Sequence, residues 1–176
     1  MATNLQFIKS VNISTSQSTT SVTNCFTSNY DVYKIVSSGI STAGTTAVTL
    51  NMRLIDSGGS VISDSEYDYA HQIMRTDASF TEQRATSQTK FYRPFAESTD
   101  QAPDSQGAII YVFNPNDSSA YTFIIYQNMD SGSSLHIGMK GIGVHKVAEQ
   151  ITGFQLVEDN GSRPYDTGNI SVYGVK

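Results

Sequence analysis

The segment ITGFQLVEDNGSRPYDTGNISVYGVK, residues 151–176, decides how the rest of this chain is read. Phe154, Leu156 and Val157 form one β-prone run. Asp159, Asn160, Gly161, Ser162 and Pro164 break it, because their backbones and short polar side chains favour turns over strands. Thr167 and Gly168 open a second run through Ile170, Val172, Tyr173 and Val175. The expectation is strand, turn, strand, with the closing run tucked into a sheet.

The same period-two pattern extends outward. Val48, Leu50, Met52 and Leu54 alternate with Thr49, Asn51 and Arg53, which predicts a half-buried strand with the apolar set inward and the polar set outward. Residues 56–60, Asp-Ser-Gly-Gly-Ser, supply a tight hairpin, and Val61 and Ile62 start its return. A first strand is expected over Leu5–Ile13, with Leu5 and Phe7 on one face, then a hydroxyl-rich stretch at 14–21 and a short strand at Val22–Phe26. Tyr30–Val36 reads as a strand ended by Ser37, Ser38 and Gly39. Gly107–Phe113 and Tyr121–Tyr126 are apolar on both faces and are joined by turn residues Asn114–Ser119. They are expected at the centre of a sandwich, covered by the opposing sheet on one side and by a neighbour or loop on the other. Gly138, Gly141 and Gly143 in Leu135–Val144 point to bulges or close backbone approach.

Asp64–Gln88 reads mainly as loops. Tyr67, Tyr69, His71 and Ile73 alternate as a strand would, while Phe80–Ser87 suits a helical turn. Phe91–Phe95 leads into a polar loop, Glu97–Gln106. Eight to ten short strands follow, without a helical stripe, linker or repeat. The fold class is all-β: an antiparallel two-sheet sandwich, jelly-roll-like, forming one domain over residues 1–176.

Composition narrows the function. Of the 176 residues only 15% are charged, against about a quarter in ordinary domains. Ser and Thr make up about a quarter of the chain. A hydroxyl-coated surface has little charge to desolvate and suits dense contact with neighbours. The net charge of −5 and a pI near 5.0 argue against nucleic-acid binding, and the eleven Lys and Arg form no run. Cys25 is the single cysteine, so no internal disulfide exists, and it reads as a small core residue. There is no apolar run of membrane-span length and no signal-peptide pattern at the N-terminus, which predicts synthesis in a cytoplasm and no membrane partner.

The residues offer little chemistry. His136 and His145, nine apart across a glycine-rich stretch, could lie on facing strands, but with His71 they give no zinc ligand set, and all three read as packed or edge histidines. Asp64, Glu66 and Asp68 would share one face of a strand and could hold calcium; a charged edge that deters sheet-to-sheet pairing is the favoured reading. No nucleophile elbow, phosphate loop or dinucleotide fingerprint is present. The Asn-x-Ser matches at Asn12, Asn116, Asn160 and Asn169 are what a Ser-rich chain yields by chance. No catalytic residue, cofactor or metal is assigned.

Several segments, in order, resemble a family of small jelly-roll virion structural proteins of tailed bacteriophages. They are residues 5–10 (LQFIKS), 25–35 (CFTSNYDVYKI), 50–62 (LNMRLIDSGGSVI), 111–115 (YVFNP), 141–144 (GIGV), 151–154 (ITGF) and the closing GNISVYGVK. The resemblance implies a non-enzymatic role on the outer surface of a virion capsid. The expected protein is a decoration, or cement, protein that binds the major capsid protein as a homotrimer and stabilises the assembled shell by mass action. The alternative is a tail- or fibre-associated protein whose loops at Glu97–Gln106 and Asn114–Ser119 touch host surface glycan.

Overall fold

The computed structural model describes residues 4–42, 47–77, 79–98, 106–132, 135–159 and 164–176. Its strands are β1 (Leu5–Ile13), β2 (Thr19–Val22), β3 (Val32–Thr42), β4 (Val48–Asp56), β5 (Tyr67–Arg75), β6 (Thr81–Gln88), β7 (Glu97–Ser98), β8 (Gln106–Phe113), β9 (Thr122–Gly132), β10 (Leu135–His145), β11 (Ile151–Glu158) and β12 (Tyr165–Val175). Antiparallel pairing gives an eight-stranded sheet in the order β1-β12-β3-β8-β9-β10-β5-β6 and a four-stranded sheet in the order β2-β11-β4-β7. The fold is the expected all-β sandwich of jelly-roll type. Among the described residues no helix is long and apolar enough to cross a membrane.

Alternation places the core. Val48, Leu50, Met52 and Leu54 of β4 and Phe154 and Leu156 of β11 are buried against Ile35 of β3, Ile110 and Val112 of β8, Ile124 of β9 and Ile170 and Val172 of β12, all within one cluster. Each such side chain contributes about 1.5–3 kcal/mol when fully buried, so packing between the sheets holds strands of modest intrinsic stability. The hairpin after β4 forms as its residues require. Gly59 takes φ +85°, the Gly59 N–H donates to the Asp56 carbonyl at 3.2 Å, and the Ser60 N–H donates to Asp56 Oδ1 at 2.8 Å. β8 and β9 do lie at the centre of the large sheet, joined by the Asn114–Ser119 turn.

Buried tyrosines fasten one sheet to the other. The Tyr67 hydroxyl, on β5 of the large sheet, accepts from the Leu54 N–H of β4 and donates to the Ile62 carbonyl, both at 3.0 Å. The Tyr165 hydroxyl on β12 meets Thr20 Oγ1 of β2 at 2.9 Å. Burial pushes both phenols well above their ordinary pKa, so they stay neutral donors.

Several expectations need correction. The second strand is Thr19–Val22 rather than Val22–Phe26: the N–H groups of Cys25 and Phe26 both turn to the Thr152 carbonyl instead of a ladder. β3 runs through Ser37, Ser38 and Gly39 to Thr42, because Gly39 at φ +61° accommodates a register shift between Ser38 and Ile40. Tyr67–Arg75 and Thr81–Gln88 pair with each other as β5 and β6 rather than forming loops or a helical turn, and β5 pairs in turn with β10. Asn51 does not face solvent. It is buried because the segment after β6 folds over it, with Oδ1 accepting the Arg93 N–H at 3.0 Å. Residues 99–105 of the expected polar loop, and residues 160–163 of the expected closing turn, lie outside the described residues.

The glycines of β10 mark close approach rather than bulges, since β10 pairs with β9 and β5 without a register shift. A Cβ at Gly141 would meet the Tyr126 ring at 2.3 Å, and one at Gly143 would meet the Phe91 ring at 2.6 Å. Gly153 is tighter in kind, because the obstacle is backbone: its Cβ would lie 2.4 Å from the Val22 carbonyl oxygen. Gly153→Ala must therefore push β2 off β11, and we expect a loss of about 1–3 kcal/mol in urea unfolding. Gly107→Ala, whose nearest obstacle is 3.9 Å away, should be neutral or slightly stabilising in the same measurement.

Candidate functional site

The outer face of the large sheet is the first feature that folding alone leaves unexplained. Pleating sends alternate residues of β8, β9 and β10 outward, and the sequence is apolar there too. Ile109, Phe123, Ile125, Met129 and Ile142 remain 40–64% exposed. Register joins them into cross-strand rows. Tyr111, Ile125, Ile142 and Ala70 line up across β8, β9, β10 and β5, and beside them run Phe113, Phe123 and Val144. Directly opposed side chains lie about 4.5–5.5 Å apart, so each row is a continuous apolar strip. The sheet forms two adjoining depressions here, of about 780 and 730 Å³, which share Ala70, Arg84, Ile125 and Ile142. Lys140, Arg84 and Glu82 stand at the rim, and Lys34 Nζ sits 5.9 Å from the Tyr111 ring centroid. The expected opposing sheet covers the inner side of this hairpin, while the outer side is left open. Exposed apolar rows with a polar rim mark association surfaces.

A second cluster lies on the inner face, where β9, β10 and β5 extend beside the segment 91–97. Successive inward residues of β9 grip that segment. Tyr126 Oη donates to the Tyr92 carbonyl at 3.4 Å, Asn128 Nδ2 to those of Arg93 and Pro94 at 2.7 and 3.2 Å, and Asp130 Oδ2 accepts the Glu97 N–H at 3.1 Å. Arg93, held at φ +60°, pairs its guanidinium with Glu97 at 2.9 Å. His71 Nδ1 meets the Tyr126 hydroxyl at 2.9 Å, and its ring forms a triangle with those of Tyr69 and Tyr92, all three centroids lying 5.9–6.2 Å from one another. Burial, then the positive charge of Arg93, holds the His71 imidazole below its usual pKa, with Gln83 acting weakly the other way. His71 is 4% exposed, and its ring contacts suit a packing role.

The third cluster joins residues that the sequence keeps apart. His145 ends β10 and is paired in register with Tyr67, which places Glu66 beside it. His145 Nε2 lies 3.0 Å from Glu66 Oε2 and 3.6 Å from Glu149 Oε1. The expected face of Asp64, Glu66 and Asp68 does not form. Asp64 and Glu66 precede β5, and Asp68 turns to the Ser87 N–H at 2.7 Å and Lys146 Nζ at 2.9 Å. Nor is this strand a charged edge, since β5 lies between β10 and β6. His136 and His145 sit at opposite ends of one strand rather than on facing strands. The Glu66–His145–Glu149 grouping was not legible beforehand, because strand register brings residues 66 and 145 together; the spacing of His145 and Glu149 was its one local trace.

Cys25 is buried as expected, its thiol pushed up to about 12 by burial and its Sγ 3.4 Å from the Val22 carbonyl. Among the candidate loops, Asn114–Ser119 is a compact turn anchored inward, with Asn116 Nδ2 donating to the Phe26 carbonyl at 3.3 Å and the Ile151 N–H to the Pro115 carbonyl at 2.6 Å.

No protein-family model matches the sequence, and no curated protein matches it. Among solved structures, the marine PL-14 alginate lyase from Aplysia kurodai is similar at 8% identity over 95% of this chain and 81% of that one, with a TM-score of 0.36. A family 7 alginate lyase in complex with substrate is similar at 10% identity over 84% and 62% of the two chains, with a TM-score of 0.25. The VP2 subviral particle of infectious bursal disease virus gives 7% identity over 98% and 41%, with a TM-score of 0.19. At these scores the likenesses carry no argument about activity or partners.

His71 gives a pH signature. Its folded-state pKa lies below the usual 6.5, so the neutral form is favoured in the fold. The stability this contributes is present above the unfolded value and is lost as pH falls from about 6.5 toward the folded one. The melting temperature of the native chain should therefore fall more steeply between pH 7 and pH 5 than that of His71→Gln, as read by calorimetry at matched ionic strength.

Proposed function

We propose that this chain is a structural protein of a tailed-bacteriophage virion. In this reading it is a decoration protein that docks on the assembled capsid shell and acts by contact rather than by turnover. The observation that carries the reading is the exposed apolar outer face centred on Ile125 and Ile142, on the broader of two sheets. Ile and Phe in register on an open sheet keep apolar area in water, and a shell partner would remove it. The scarcity of charge and the hydroxyl-rich surface support it, since packing against capsid subunits then removes few ions from water. The ordered resemblance to jelly-roll virion proteins supplies the particle. Binding to the assembled shell and not to its free subunits would stabilise the shell by mass action, and a homotrimer would match three-fold or quasi-three-fold positions.

The test is cosedimentation with expanded capsids of the phage that encodes the chain. Native protein should pellet with the shells, and Ile125→Lys should bind at least tenfold more weakly. The same substitution should leave urea stability within about 0.5 kcal/mol, because Ile125 is exposed in the free molecule. A protein that stays monomeric at high concentration and ignores expanded shells would overturn the proposal. Location at the tail in particle images would instead favour the tail-associated, glycan-contacting role.

A further inference from the structure

The Glu66–His145–Glu149 cluster has a donor set that the packing of the sandwich does not call for. Its members come from three separate places: the bend before β5, the last residue of β10 and the connection into β11. One atom from each, an imidazole nitrogen and two carboxylate oxygens, lies within 4.8 Å of the others. His145 is fully buried beside the Tyr67 ring, at a centroid separation of 5.1 Å, and its Nδ1 has no hydrogen-bond partner. Nε2 is thus the single polar attachment of a buried imidazole, and it is aimed between two carboxylates. Both carboxylates reach water, with side chains 30% and 32% exposed, so an ion has a path in.

We infer that Glu66, His145 and Glu149 bind a divalent transition metal of the zinc class. Three protein ligands of mixed nitrogen and oxygen type leave a fourth, tetrahedral position for water. Imidazole in the set favours zinc-class ions over calcium and magnesium, which take oxygen ligands. The ion would fasten the β10–β11 connection to the start of β5, on the inner side of the large sheet and away from the proposed shell contact. It is therefore independent of the docking role.

Calorimetric titration of the untagged, chelator-stripped chain with zinc chloride tests this. The expected result is one ion per chain, at least tenfold weaker binding to Glu149→Gln, and no comparable binding of calcium. Cobalt chloride added to the native chain should give the visible absorption of four-coordinate cobalt, a readout that stands even if the variant fails to fold. Absence of one-to-one zinc binding, equal affinity for Glu149→Gln, equal affinity for calcium, or a six-coordinate cobalt spectrum would each overturn the assignment.

Discussion

An eight-stranded sheet has two faces to satisfy, and its four-stranded partner can cover only one of them. That mismatch in width governs the molecule. On the covered side, alternation, buried tyrosines and one continuous core do what a sandwich needs. At the end the small sheet does not reach, the segment 91–97 is drawn in by Tyr126, Asn128 and Asp130 and serves as an extra piece of wall. On the uncovered side the described residues supply no such substitute and leave the apolar rows of β8, β9 and β10 exposed.

The covered side shows how a low-charge chain gains specificity. Apolar packing alone is tolerant of slippage, whereas a hydroxyl that must find both a donor and an acceptor is not. Tyr67 fixes β5 against β4 and the return of the hairpin at Ile62, and Tyr165 fixes β12 against β2. Bulky rings between sheets also need space, which explains why Gly141 and Gly143 stand opposite the Tyr126 and Phe91 rings. The large aromatic and the missing Cβ are two halves of one fit.

The fold class was legible because it rests on alternation, which is local. The β4 hairpin and the two strands of the closing segment, β11 and β12, followed from residue type and turn chemistry. What escaped depended on partners far away in sequence. Tyr67–Arg75 and Thr81–Gln88 look polar and irregular alone and become paired strands because β10 offers an edge to β5. Asn51 reads as an outward residue until residues 91–96 close over it. The apolar outer face was half legible: both faces of β8 and β9 were seen to be greasy, but no local signal says that one stays open. The Glu66–His145 contact exists only through the Tyr67–His145 register, which no spacing in the sequence encodes.

The proposed role requires the outer face to be occupied when the protein is at work. Hydroxyl-radical footprinting of the free chain and of the same chain on the virion particle proposed for it addresses this directly. Met129 and Phe123 are 64% and 47% exposed in the free molecule and should label readily there. On the particle their labelling should fall severalfold, along with that of Ile142. Equal labelling of these side chains in the two states would mean that the greasy face is never covered, and the account would be contradicted.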